Sequence, residues 1–141
     1  MTTSKITIKG TVLASVSIAW NNYTQPEHIT QWNFASDDWC CPTAENDMRP
    51  GGKYNARMEA RDGSFGFDFE ATYTEVVEGK KFTYVMPDKR EVNVFFEPND
   101  YFTEVTVIFD AENQNPVEMQ REGWQSILNN YKKHTEGQLN K

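Results

Sequence analysis

The last fifth of the chain constrains its fold more than any other part. After a long run of β-type sequence comes one segment of helical periodicity, Pro116 to about Lys133. Val117, Trp124, Ile127, Leu128 and Tyr131 recur at helical spacing as an apolar stripe, while Glu118, Arg121, Glu122, Gln125, Asn129 and Lys132 fill the opposite side. A single amphipathic helix must bury its stripe against the sheet, and a sheet that uses most of the chain has to curve around it. A curved sheet over a helix can leave a cavity, so the pattern points toward binding something apolar.

With 141 residues the chain is long enough for one domain, 1–141, whose core needs no metal or disulfide staple. An aromatic content of 13% with an apolar fraction of 38% marks it as globular rather than disordered. The net charge of −7 argues against nucleic acid and anionic membrane surfaces as partners and is read as a solubility feature. No apolar run approaches the ~18 residues of a membrane span. The alternating stretch Met1 to Lys9 lacks the apolar core of a signal peptide, so a cytoplasmic location with reduced Cys40 and Cys41 is expected. Neighbouring Cα atoms lie only ~3.8 Å apart, shorter than ordinary disulfide geometry favours, so these two read as ordinary thiols.

Period-two alternation organises the middle of the chain. Lys5 to Val12 is a half-buried strand, with Ile6 and Ile8 set against Lys5, Thr7 and Lys9. Ser15 reads as the N-cap of a helix carrying Val16, Ile18, Ala19, Trp20 and Tyr23, and Pro26 opens a second short helix with His28, Ile29 and Trp32. An irregular stretch, Asn33 to Pro42, follows, then a strand around Thr43 to Met48 and a turn at Arg49 to Lys53. Asp62-Gly63 is a favoured type I′ pair; set at a hairpin tip, it places Met58 opposite Phe67, Ala56 opposite Phe69, Ala60 opposite Phe65 and Tyr54 opposite Ala71 on one face. Arg57–Asp68, Glu59–Gly66 and Asn55–Glu70 pair on the other. A turn at Asn99-Asp100 would set Val94 opposite Val105, Val92 opposite Val107 and Phe96 opposite Thr103, and a loop Asp88 to Arg90 would set Tyr84 opposite Val94.

Four segments in this order, Thr24 to Trp32, Asp47 to Tyr54, Tyr73 to Tyr84 and Arg121 to Leu128, resemble the family named after the heat-shock protein 90 ATPase activator, part of the START-like (SRPBCC) superfamily that includes birch-pollen-allergen-like proteins. The resemblance runs from about Ile6 to Lys133. It implies an α+β helix-grip fold: a curved antiparallel sheet of about seven strands around a long C-terminal helix, with two short helices after strand one. Gly123 is expected to let that helix approach the sheet closely, which must offset a cost of ~1 kcal/mol for glycine in a helix. Where many members carry Trp-Trp, this chain has Gln31-Trp32-Asn33-Phe34, followed by an insertion, Ser36 to Pro42, near the expected cavity mouth.

The candidate ligand contacts are Trp32, Phe34 and Trp39 at the mouth, with Tyr54, Met58, Phe67, Phe69, Tyr84, Met86, Trp124 and Leu128 inside. Phe82, Val92 and Val94 share the same face as core. Arg57 and Asp68 read as a cross-strand pair on the solvated face. Gly51-Gly52 is no phosphate loop, since no Ser or Thr follows the lysine and a strand comes next. His28, Cys40 and Cys41 lack metal-ligand spacing, and His134 falls in a frayed, charged tail. The groups available for acid–base work, His28, Glu59, Asp68 and Tyr84, form no recognisable constellation, so no catalytic, metal or cofactor residue is named. Three functions follow in rank order. The first is a binding protein for a small apolar or amphipathic molecule. Next comes a protein-interaction module whose partner is a chaperone, by analogy with the family's namesake. A cavity enzyme of cyclase or hydrolase type ranks last. An edge strand at Thr43 to Met48 could also pair two copies into a homodimer.

Overall fold

The computed structural model describes residues 4–138. Strand β1 (Lys5–Val12) buries Ile6, Ile8 and Val12 and turns its lysines outward. Ser15 caps α1 (Val16–Thr24), its side chain accepting the Ile18 N–H at 3.4 Å. Pro26 opens α2 (Pro26–Trp32), where its missing N–H would have had no helical partner. The chain then runs through β2 (Trp39–Cys40), β3 (Ala44–Asn46), β4 (Lys53–Ala60), β5 (Gly66–Val77), β6 (Lys81–Val85), β7 (Glu91–Pro98), β8 (Thr103–Asp110) and α3 (Val117–Gln138).

The strands form one antiparallel sheet in the order β1-β8-β7-β6-β5-β4, with β2 and β3 both paired to β4 at the far edge. Eight strands thus fill seven places, because the last place is shared by two short pieces. The edge expected over Thr43 to Met48 shrinks to Ala44–Asn46. The sheet and its three helices make the α+β helix-grip arrangement. No helix among the described residues is long and apolar enough to cross a membrane.

The β4–β5 hairpin has the expected register from Tyr54↔Ala71 to Glu59↔Gly66. Its turn is not type I′, however. Gly63 alone has a positive φ (+79°), and its N–H donates to Ala60 O across a four-residue loop, Arg61 to Ser64. A two-residue turn centred on the same point gives the same register, which is why the pairing survives the change of turn. The other two hairpins are displaced. Val94 faces Val107 and Phe96 faces Val105, because the β7–β8 loop spans Asn99 to Phe102. Tyr84 faces Val92 because the three-residue loop is Pro87 to Lys89, with Lys89 at φ +77°. Each displacement moves the pairing by an even step, so every inward side chain stays inward.

Curvature enters partly through a bulge in β5, where pairing passes from Tyr73↔Tyr84 to Glu75↔Thr83 and leaves Thr74 without an opposite residue. α3 lies chiefly over β1. Its anchors are Leu128 and Tyr131, both buried, and Trp124, stacked on Phe109 with ring centroids 4.0 Å apart. Val117 does not join the stripe; it is exposed, as is Met119. The expected close approach at Gly123 is absent, since a Cβ there would meet nothing within 4 Å. Closeness comes from the strand instead: a Cβ on Gly10 would lie 3.3 Å from Leu128 Cγ. The helix also runs past Lys133, so His134 is helical rather than frayed, and its Nε2 lies 2.9 Å from Nδ1 of His28 on α2.

Candidate ligand cavity

Because α3 lies toward β1, it does not fill the concavity over the other half of the sheet. A cavity of about 430 Å³ remains there, walled by β4, β5 and β6, by α3, and by the α1–α2 pair. Nine of the expected contacts line it: Trp32, Tyr54, Met58, Phe67, Phe69, Tyr84, Met86, Trp124 and Leu128. Phe69 is central to the wall, with ring centroids 5.9 Å from Tyr54, 6.0 Å from Tyr84 and 6.4 Å from Trp124.

The remaining two expected contacts lie elsewhere. Phe34 sits beneath the Arg61 guanidinium, 5.7 Å from the ring centroid. Trp39 packs its ring on Phe65 and Phe67 at 5.9 and 6.1 Å, because β2 pairs with the end of β4 nearest the hairpin tip (Trp39↔Ala60). Phe67 reaches the cavity yet remains 42% exposed, and Phe65 is 60% exposed. The hairpin keeps its inward alternation, and its last aromatics pack their rings on one another and on Trp39.

The polar lining is specific. Asn33 Nδ2 donates to Tyr54 Oη (3.2 Å). Tyr73 Oη donates to Asn46 Oδ1 (2.6 Å), and Asn46 Nδ2 donates to Thr24 O (2.7 Å), tying the end of α1 to β3 and β5. Gln120 is buried and stitches the loop before α3: its Oε1 accepts the Glu112 N–H (2.8 Å) and its Nε2 donates to Asn115 O (2.8 Å). Tyr23 and Tyr84 also line the cavity, and neither hydroxyl has a hydrogen-bond partner among the described residues. Burial pushes the pKa of Tyr23, Tyr54 and Tyr84 well above the ordinary phenol value, so all three stay protonated.

Tyr23, Tyr73, Asn33 and Asn46 also line the cavity, and none is among the contacts expected from the sequence. Tyr73 carries a sequence signal, lying two residues beyond Ala71 on the same face of β5. Asn33 and Asn46 carry no such signal, because an amide becomes part of a wall only when folding sets it opposite a phenol. Of the acid–base groups, Glu59 and Asp68 lie on the outer face of the sheet, where both pair with Arg57 (2.9 and 3.6 Å). His28 bonds His134, and neither lines the cavity. Of the two thiols, Cys41 is buried and Cys40 partly exposed.

Comparison with known proteins places this architecture. The family model described as "Activator of Hsp90 ATPase homolog 1-like protein" matches residues 13–136. An AHSA1-like protein from Aeromonas hydrophila is 36% identical, with 98% of this chain and 96% of that one covered at a TM-score of 0.91. A Cytophaga hutchinsonii protein is 39% identical over 96% and 94% of the two chains, with a TM-score of 0.82. A protein from Nitrosomonas europaea, only 18% identical over 95% of each chain, still superposes with a TM-score of 0.83, a likeness of fold alone. None of the curated proteins matches the chain. With the matched model spanning most of its length, the chain belongs to the Activator of Hsp90 ATPase homolog 1-like family.

Proposed function

We propose that this protein holds a small apolar or amphipathic molecule between its curved sheet and α3. The observation that carries the reading is the cavity itself. About 430 Å³ stays open between the sheet and α3, behind a wall of aromatic side chains. A volume in that range, with an apolar lining and a few placed polar groups, is the usual form of a small-molecule site. Trp32, Tyr54, Met58, Phe69, Tyr84 and Trp124 would make the contacts.

Native mass spectrometry of the purified protein, beside a denaturing run, tests the reading. A bound mass that disappears on denaturation supports it and gives the ligand's class. A bare chain mass at every ionisation energy, with no binding by a panel of apolar probes, would remove it. Weight would then move to the interaction module that the family name suggests, for which a change in a chaperone's ATPase rate is the direct readout. Phe67→Ala adds a second check. At a position 42% exposed it should cost well under the ~3–5 kcal/mol of a buried Phe→Ala change, while widening the cavity and lowering occupancy.

A further inference from the structure

Four tyrosines, Tyr23, Tyr54, Tyr73 and Tyr84, converge on the cavity, and their hydroxyl protons are not equally used. Tyr73 gives its proton to Asn46. Tyr54 only accepts, from Asn33. Tyr23 and Tyr84 neither give nor accept among the described residues, and their oxygens are not among the polar atoms sealed off by protein. Both side chains line the cavity.

A hydroxyl set in an apolar wall with its proton unclaimed by protein suits a ligand that accepts it, and this cavity has two of them. Charge narrows what that molecule is. Of the lining side chains only Arg90 and Glu112 are of the charged types. Both sit in loops where β7 begins and β8 ends, with Arg90 Nε already on Asp88 at 2.7 Å. The one cation in the lining, Arg90, is already paired with Asp88, and every phenol remains neutral, so a carboxylate or phosphate seated at the phenols would lack a free counter-charge.

We infer that the cavity selects uncharged, largely apolar molecules bearing an acceptor oxygen of the ketone, ester or amide kind, received by the Tyr84 and Tyr23 hydroxyls. This rests on the ligand-binding reading above and deepens it. The two hydroxyls are specificity determinants: they discriminate between molecules of one shape by the oxygen they carry.

Three probes of nearly one shape separate the outcomes: 2-acetylnaphthalene, 2-ethylnaphthalene and 2-naphthoate, titrated calorimetrically into the wild type, Tyr84→Phe and Tyr23→Phe. Each Phe variant keeps its ring, and a thermal melt confirms that it is folded. The acetyl compound is expected to bind roughly five- to tenfold tighter than the ethyl compound, with the carboxylate weakest. That preference should fall severalfold in at least one Phe variant, while affinity for the ethyl compound holds or improves. Equal binding of acetyl and ethyl probes, strongest binding by naphthoate, or a preference untouched in both variants would overturn the inference and leave the cavity reading standing. Failure of all three probes overturns the inference as well. If the native mass spectrum also carries no adduct, the cavity reading falls with it.

Discussion

Two tyrosines of this protein face opposite fates on losing one oxygen atom, and the contrast can be worked out from their surroundings. Tyr131 is fully buried; its Oη donates to Ala19 O at 2.6 Å, and its ring packs on Tyr23 and Trp32 with centroids 4.7 and 5.3 Å away. Tyr131→Phe keeps the ring and deletes only the hydrogen bond, normally worth about 0.5–1.5 kcal/mol net. A larger cost of roughly 1–3 kcal/mol arises when the abandoned partner is left unsatisfied. Ala19 lies within α1, where the amide four residues on is placed to bond the same carbonyl, so that penalty should be absent. The expected loss is therefore about 1 kcal/mol, or roughly 3–4 °C in a domain of this size. Tyr84→Phe removes a hydroxyl with no hydrogen-bond partner among the described residues and should leave the ligand-free protein equally or slightly more stable. Urea titration followed by far-UV circular dichroism, at matched m-values, measures both. Equal losses in the two variants would refute the partner accounting, and a loss above ~3 kcal/mol for Tyr131→Phe would mean that its ring packing depends on the bond.

Other consequences are as direct. Gly123→Ala should stabilise the protein by up to about 1 kcal/mol, since a methyl there meets open space, whereas Gly10→Ala should destabilise it by pressing on Leu128; thermal midpoints of opposite sign are the check. Burial pushes the Cys41 thiol up to about 11, so at pH 8 a thiol reagent should label Cys40 first and Cys41 only on unfolding. Equal labelling rates in the native state would contradict this. Burial acts to raise the Asp110 pKa, but the Lys5 ammonium at 2.6 Å and the Glu91 N–H together outweigh it and hold the carboxyl below its usual value. A depressed folded pKa adds stability above the unfolded pKa, and that stability is lost as pH falls through the folded value. Asp110→Asn should then be less stable than the wild type at pH 7, with the gap closing below about pH 4. A gap independent of pH would show that charge is not its origin.

Legibility varied with the kind of information each element needs. The helix stripe and the inward parity of every long strand are properties of spacing, and spacing is what a sequence carries. The β4–β5 register was readable because Asp62-Gly63 leaves little choice of tip. Around Asn99 and Asp88 several residues suit a turn, and alternation fixes parity but not an even step, so both neighbouring hairpins were placed two residues away. Within the cavity, parity located Tyr54, Met58, Phe69, Tyr84 and Met86. It could not locate Tyr23 or the two asparagines, whose roles depend on which helix folds over which strand. Place in the chain alone puts Phe34 and Trp39 at the mouth, whereas β2 carries Trp39 away along the edge of β4. His28 and His134, 106 positions apart, meet through the packing of α2 on α3, which no periodicity reports.

The side chain of Asn46 has a consequence for kinetics. By holding Thr24 O with its amide nitrogen and Tyr73 Oη with its oxygen, it fastens the end of α1 to two strands at once. That end of the chamber cannot breathe without breaking three elements together. At the opposite extreme the β4–β5 tip stands clear of α3, its Phe65 and Phe67 half in water. Exchange of the chamber's contents should therefore be gated at the tip, with a rate that follows the opening of one hairpin and not the unfolding of the whole. Amide hydrogen exchange should find Ala60 and Phe67 opening orders of magnitude more often than Tyr73. Uniform protection along β5 would make the chamber a sealed box, filled only as the chain folds.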